Sequence, residues 1–275
     1  MTTEFNRING ATEVMAIIAD PVYQASTPGL ANTVLADKNL NQILVPFHVK
    51  TEGLSDVINS LRHINNFVGA VVSMPHKTAI INLLDDLTTE AKQVGACNVI
   101  RRNADGKLIG TMLDGEGFVV GLLNKGHSVK GKNIFLIGAG GAASGIAFAV
   151  AKHGANRLII FNRTKSKAEN LISNIKVVFP ELKIQYSDKI SNDDQIIING
   201  TSIGMMENDG LPISLSNISE SCIVAEVVIT PELTTFLNEA KKKNCLIHKG
   251  KPMLEGQIKL MLDFINDNKI RSPNH

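Results

Sequence analysis

Gly138, Gly140 and Ala143 stand at the spacing G-x-G-x-x-A. Four apolar residues, Ile134 to Ile137, lead straight into them, and an apolar helical pattern follows through Ile146, Phe148, Ala149 and Val150. Strand, glycine turn and helix in that order make a pyrophosphate cradle. Gly138 permits the tight turn, Gly140 lets the backbone come close to a phosphate, and Ala143 lets helix and strand pack closely. With Ala139, Gly141 and Ala142 around them, the helix N-terminus offers free N–H groups and a partial positive charge to the anion. Glycine turns of this kind also occur in plain loops. Here a second strand, Arg157-Leu-Ile-Ile-Phe161, follows the helix, as a βαβ unit requires.

The end of that second strand selects the cofactor. An NAD site places an acid there for the ribose 2′-hydroxyl. This chain has Asn162-Arg163-Thr164 and no carboxylate nearby. Arg163 can meet a 2′-phosphate with its planar fork, and Lys167, one turn on, can add a point charge. The alternative is that both cations are solvated residues at a helix start. NADP is the cofactor expected.

Two further stretches could do chemistry. Asn199-Gly-Thr-Ser-Ile-Gly-Met205 is a loop at the end of an apolar strand, where open α/β sheets bind ligands, and it carries Thr201. Ser73-Met-Pro-His-Lys77 ends another such strand. Hydride transfer to a ketone leaves an alkoxide that must take up a proton, and the reverse reaction needs a base. A lysine does both when partial desolvation brings its pKa towards working pH. On its residue type alone, Lys77 is equally a solvated lysine opening a helix after Pro75. His76 beside it reads as a strand-end histidine facing solvent. Cys97, Cys222 and Cys245 have neither metal-ligand spacing nor a disulfide pattern, and read as small buried hydrophobes. No metal site is expected.

Composition bounds the rest. The chain has 275 residues, 44% of them hydrophobic, which is enough for one large or two medium cores. The net charge of +2 gives no nucleic-acid footprint. There is no apolar run of about 18 residues to span a membrane. Met1-Thr-Thr-Glu-Phe-Asn6 has neither a basic nor an apolar secretion signal. A cytoplasmic protein acting on a small molecule, as a monomer or homodimer, is expected.

The elements that must position these residues can be read in order. Val14–Ala19, Ile43–Val49 and Val68–Ser73 are apolar runs with strand character, the second near an edge because of Pro46. Between them lie helical patterns over Leu30–Ala36, with Thr27 as N-cap, and through Leu54, Val57, Ile58 and Leu61. A helix including Ala79, Ile80, Leu83 and Leu84 is expected after Lys77. Cys97–Ile100 and Leu108–Gly110 read as a hairpin turning at Asp105-Gly106, bringing Asn98 near the segment ending at Asp114. An amphipathic stretch follows, Phe118–Leu123, and then a polar loop to Gly131. Beyond Arg163 come a helix to about Phe179 and short strands at Lys183–Tyr186, Gln195–Asn199 and Cys222–Ala225. A helix from Pro231, a strand Cys245–His248 and a helix Met253–Phe264 close the chain, with Arg271–His275 frayed. Alternating strands and helices imply mostly parallel sheets with covered faces.

Asp20-Pro21, Ser73-Met-Pro-His-Lys77, Gly95-Ala-Cys-Asn98, Asp114-Gly115, Gly138-Ala-Gly-Gly141, Asn162-Arg163-Thr164, Asn199-Gly-Thr-Ser202 and Gly250, Met253, Leu254 and Gln257 stand in the order seen in shikimate dehydrogenases. The chain resembles that family, including its quinate/shikimate members, over nearly its full length. The resemblance implies two α/β domains with a cleft between them: a mostly parallel substrate domain, 1–113, completed by the C-terminal helix 252–275, and a Rossmann NADP-binding domain, 114–251. It implies NADP-dependent interconversion of shikimate and 3-dehydroshikimate, in aromatic amino acid biosynthesis. Lys77 matches the family's catalytic lysine and Asp114 its partner acid. Thr27, Ser73, Asn98 and Gln257 match substrate-binding positions, and Thr201 and Gly250 join the cofactor set. From residue type alone, Asp114 is also a helix N-cap, Asn98 a strand-edge amide and Gln257 an exposed helical glutamine.

Several positions depart from the family pattern. The carboxylate-binding Ser-x-Ser-Pro is Ala25-Ser26-Thr27-Pro28, Val71 replaces an amide, Asn-Thr-Asp becomes Met112-Leu113-Asp114, and Ile229 stands where an aromatic hydroxyl is usual. The reacting pair is kept while groups bonding the rest of the substrate turn apolar. Two alternatives to a shikimate or quinate dehydrogenase follow: a dehydrogenase for a less polar hydroxy acid, and a non-catalytic NADP-binding sensor. A methylene-tetrahydrofolate dehydrogenase does not fit, since neither Tyr23 nor Tyr186 is followed by lysine four residues later.

Overall fold

The structure, a computed structural model, describes residues 8–270; the secretion-signal reading of Met1–Asn6 and the fraying of Arg271–His275 fall outside them. The chain divides into two units. One runs to Leu113 and resumes at Ile258, and the other is Asp114–Gln257. No helix among the described residues is long and apolar enough to cross a membrane.

In the first unit the apolar runs become strands: β1 (Glu13–Ala19), α1 (Thr27–Asp37), β2 (Gln42–His48), α2 (Leu54–Leu61) and β3 (Phe67–Val72). Then come β4 (Asp86–Leu87), α3 (Thr89–Val94) and the hairpin β5 (Val99–Arg102) and β6 (Leu108–Thr111). The sheet order is β2-β1-β3-β5-β6-β4, with only β5 antiparallel to its neighbours. Pro46 therefore sits on an edge strand, where its missing N–H costs no ladder bond. The hairpin turns as expected: Gly106 takes φ +84° and its N–H reaches the Asn103 carbonyl at 2.9 Å.

Two local expectations are corrected here. Ser26, not Thr27, is the N-cap of α1, and it makes no side-chain cap bond; Thr27 lies inside the first turn and is buried. After Lys77 the chain makes a five-residue 3₁₀ turn, Ala79–Leu83, in place of an α-helix. Its two β-branched isoleucines and an N-cap Thr78 without a cap bond give a longer helix nothing to propagate from.

The second unit opens on α4 (Asp114–Asn124) and continues with β7 (Asn133–Ile137), α5 (Gly141–Lys152), β8 (Arg157–Phe161), α6 (Lys165–Val178) and β9 (Lys183–Tyr186). It is completed by β10 (Ile196–Asn199), β11 (Ile223–Glu226), α7 (Thr235–Lys242), β12 (Leu246–His248) and the first turns of α8 (Lys251–Ile270). The sheet is parallel throughout, in the order β12-β11-β10-β7-β8-β9. Its central strands read as unbroken apolar runs because both faces are covered. α7 starts four residues later than Pro231, where the Thr234 hydroxyl accepts the Leu237 N–H at 3.2 Å and defines the helix start.

α4 is not amphipathic as expected but buried along most of its length, with Glu116 and Val120 half-buried and Leu123 and Asn124 exposed. Glycines make this possible. A Cβ on Gly115 would lie 2.0 Å from the Gly145 carbonyl oxygen of α5, and one on Gly121 would lie 2.6 Å from the Pro252 carbonyl oxygen of α8. The later part of α8 packs in the first unit. Ile265 fills the space beside Gly69, Asp267 pairs with Arg101 at 2.8 Å, and Asn266 bonds Gln42.

Candidate active site

In the first sheet the chain leaves β1 for β2 on one side and β3 on the other, so the β1/β3 boundary is a topological switch point. Ligands of open α/β sheets bind beyond the carboxyl ends of strands at such points. β3 ends there at Val72, and the Ser73–Thr78 turn follows. Ser73 N–H bonds the Ile18 carbonyl at 2.9 Å, the Met74 carbonyl accepts from Asp20 N–H at 3.0 Å, and the Lys77 carbonyl accepts from Cys97 N–H at 2.8 Å. Lys77 is thus tied at its backbone to the residue preceding Asn98.

Asn98 is buried at the same sheet end. Its carbonyl takes the Val72 N–H at 2.7 Å, and its Oδ1 takes the Leu113 N–H at 2.7 Å. The expected approach of Asn98 to the segment ending at Asp114 is therefore a direct bond. Ser73, Lys77 and Asn98 lie at one end of one sheet, where β3 ends and β5 begins, and Thr27 opens the helix that follows β1. Ser73 and Lys77 are half-buried and Thr27 is buried. Of the departures from the family pattern, Met112 packs in a small apolar cluster with Ala91 and Ala96.

His76 is a correction. It does not face solvent: its exposure is 0%, and Nε2 lies 2.7 Å from the Val49 carbonyl just past β2. Nothing in the one-dimensional pattern marks it, because the partner is 27 residues away in sequence and belongs to the main chain.

In the second unit Asp114 and Gln257 meet. Gln257 Nε2 donates to Asp114 Oδ1 at 2.8 Å, and both side chains are buried. Gln257 is thus not an exposed helical glutamine. The close crossing comes from Gly117, where a Cβ would sit 2.7 Å from that of Gln257.

The second sheet has its own switch point, between β7 and β10, and the two expected cofactor segments flank it. Gly138 takes φ +115°, a conformation reserved in practice for glycine. A Cβ on Gly140 would meet nothing within 4 Å, so the backbone there is open to a close-lying group, whereas Ala143 is fully buried against Gly138 and Gly200. Gly140 is the N-cap of α5 and makes no side-chain cap bond to the first turn, which opens with Gly141, Ala142 and Ala143; Ala139 is half-buried beside it. At the end of β8, Asn162 donates to the Thr164 carbonyl at 2.8 Å, and Arg163 and Lys167 are exposed at the start of α6. This arrangement of a helix start without a side-chain cap, open backbone and cations without a β8-end acid fits a dinucleotide bearing a 2′-phosphate.

The Thr201 hydroxyl is engaged inside its own loop. It donates to Asn199 Oδ1 at 2.6 Å and accepts from Ile203 N–H at 3.1 Å. Gly250 is buried, and a Cβ there would lie 2.2 Å from the Val228 carbonyl oxygen, so its glycine also has a packing reason. Across from Asn199, in register, stands Glu226, with 0% exposure. Burial pushes its carboxyl up to about 7, against the Thr234 and Asn199 hydrogen bonds. The Thr234 hydroxyl donates to Oε2 at 2.8 Å. His248, also buried, is pushed down to about 4 by burial, with smaller contributions from His127 and Lys125. The signal in the sequence that could have marked Glu226 was a carboxylate ending an apolar strand.

Two family models match the chain: a shikimate dehydrogenase substrate-binding domain over residues 17–100, and shikimate/quinate 5-dehydrogenase over residues 122–206. A shikimate dehydrogenase (NADP(+)) from Geobacillus sp. (strain WCH70) is 37% identical over 242 residues, covering 86% of this chain and 87% of that protein. Among solved structures, a shikimate dehydrogenase in complex with NADP+ superposes with a TM-score of 0.88 at 36% identity, over 94% of this chain and 92% of the other. A 5-ketofructose reductase of Gluconobacter sp. strain CHM43 superposes with a TM-score of 0.81 at 31% identity, over 92% of each chain.

Proposed function

Because the chain belongs to the shikimate dehydrogenase family, we propose that it is an NADP-dependent oxidoreductase interconverting shikimate, or a related cyclic hydroxy acid such as quinate, with its 3-dehydro ketone. The observation that carries this reading is the Lys77 turn, fastened by main-chain bonds to the ligand-binding end of the first sheet. When bound, NADP supplies the hydride acceptor for the alcohol carbon, and its reduced form the donor for the ketone. Lys77 takes the hydroxyl proton during oxidation and returns it to the alkoxide during reduction. The Asp114 carboxylate, its Oδ1 held by Gln257, accepts a hydrogen bond from a substrate hydroxyl. Thr27, Ser73, Asn98 and Gln257 bind the rest of the substrate.

The residues assigned to NADP are Gly138, Ala139, Gly140, Gly141 and Ala142 at the pyrophosphate, Asn162, Arg163, Thr164 and Lys167 at the adenosine 2′-phosphate, and Thr201 and Gly250 at the far end. A cytoplasmic enzyme with small-molecule partners, acting as a monomer or homodimer, accords with this reading. A second reading, a dehydrogenase for a less polar substrate, draws support from Ala25, Met112, Leu113 and Ile229 in place of the family's polar groups. A site that hydrogen-bonds a hydroxyl rejects an analogue lacking it by a factor of roughly ten thousand, whereas an apolar wall discriminates far less.

Purified protein with NADP+ and a panel of shikimate, quinate and neutral cyclic polyols, followed by the absorbance of the reduced cofactor, tests the proposal. Saturable NADP binding with no oxidation of any member would leave only a sensor. Arg163→Ala should weaken NADP by roughly tenfold to a hundredfold, the range for losing a charge-assisted phosphate contact, and leave NAD unchanged. Equal losses for both cofactors, measured by titration of the reduced forms, would remove Arg163 from the 2′-phosphate.

A further inference from the structure

We propose that His76 is a positioning residue for Lys77, clamping the turn that carries the lysine to the end of β2 through the imidazole. The inference rests on Lys77 being the general acid/base, as proposed above.

A lysine side chain has four rotatable bonds, so the place its ammonium can reach is set first by where its backbone is held. The Ser73–Thr78 turn is held on one side by β1, through Ile18 and Asp20, and on the other by Cys97. Within the turn, His76 N–H bonds the Ser73 carbonyl, and the His76 carbonyl accepts from Ile80 N–H, both at 3.0 Å. Neither set of bonds reaches β2. The His76 ring does: Nε2 lies 2.7 Å from the Val49 carbonyl, and Val49 N–H is itself fixed to the Ala19 carbonyl at 3.1 Å. A carbonyl only accepts, so Nε2 carries the proton. Nδ1 is buried with no hydrogen-bond partner among the described residues, so the ring's one polar anchor is the bond to Val49.

The ring suits this task for a physical reason. Imidazole is rigid beyond two side-chain torsions and places a single N–H at a fixed distance from the backbone. It spans from the turn to the strand end with little freedom to lose. A misplacement on the order of 1 Å at a catalytic group can cost a hundredfold in rate. Loosening one side of the turn next to Lys77 is a displacement of that kind.

The experiment compares His76→Leu, which fills the space without the donor, and His76→Gln, which restores a donor on a longer arm, each alone and combined with Lys77→Ala. His76→Leu is expected to lower kcat by tenfold to a hundredfold, with the Kd of NADPH unchanged and the substrate KM altered less than threefold. His76→Gln should recover most of that loss. In the Lys77→Ala background, His76→Leu should cause no further fall in the residual rate, since a residue acting only through the lysine has nothing left to position. Full turnover in folded His76→Leu, or a further fall in the double variant equal to that in the single, would overturn the proposal. Should His76→Leu not fold, His76→Asn replaces it: its amide ends short of Val49, and an unchanged kcat there would likewise overturn it. Wild-type turnover in Lys77→Ala alone would instead remove the general acid/base reading on which the inference depends.

Discussion

Lys77→Ala should lower kcat for shikimate oxidation by roughly a thousandfold, within the range measured for removing a general acid/base. The Kd of NADPH should stay the same, because every residue assigned to the cofactor belongs to the second unit. Lys77 is half-buried and its carbonyl, not its side chain, carries the bond to Cys97, so alanine keeps the turn's main-chain fastening. Loss of rate therefore reports chemistry and not unfolding, which an unchanged thermal midpoint checks. A kcat within tenfold of wild type would mean that the substrate hydroxyl gives its proton to another group or to water, and Asp114 would be the next residue to replace.

How far this was readable in advance differs between the two units. The cofactor half is local: Gly138, Gly140 and Ala143 lie within six residues, and β8 with its Asn162-Arg163-Thr164 end follows directly. Strand, turn and helix each declare themselves by composition, and the turn chemistry admits few alternatives. The substrate half depends on contacts across long sequence distances. The Asn98–Leu113 bond was within reach because a hairpin joins the two. The Asp114–Gln257 bond spans 143 residues, and no periodicity encodes it. His76 reads as solvent-facing because histidine at a strand end is usually solvated, and the buried carbonyl that receives it lies just past β2, where tertiary packing decides its place. The 3₁₀ turn after Lys77 was misread for the converse reason: its apolar spacing resembles a helix, but the missing cap and paired isoleucines decide the local geometry. Asn199 and Glu226, at strand ends brought side by side by the parallel register of β10 and β11, and Thr234, the N-cap of α7 that bonds Glu226, look ordinary singly and form one polar group only in the fold.

That polar group gives the second large effect, on stability. The Glu226 carboxyl titrates at about 7 when folded against an ordinary value of 4.5. Below pH 4.5 it is protonated folded and unfolded alike. Between 4.5 and 7 only the folded protein keeps the proton, so stability falls as pH rises, reaching a loss of roughly 3 kcal/mol above pH 7. His248 runs the other way. Its folded value of about 4, against 6.5 ordinarily, means that the unfolded chain takes up a proton first, and stability falls as pH drops from 6.5 towards 4. In the shared window from 4.5 to 6.5 the two slopes nearly cancel. Glu226→Gln removes one of them while keeping an acceptor for the Thr234 hydroxyl. The variant should therefore unfold later than wild type at pH 8, by on the order of 10 °C, and it should show an acid-side decline between pH 6.5 and 4 that the wild type largely hides. Thermal midpoints measured from pH 4 to 9 decide the matter. Parallel curves for the two proteins would mean that the Glu226 proton is not held by the fold, and that water or a cation reaches the carboxylate at the end of β11.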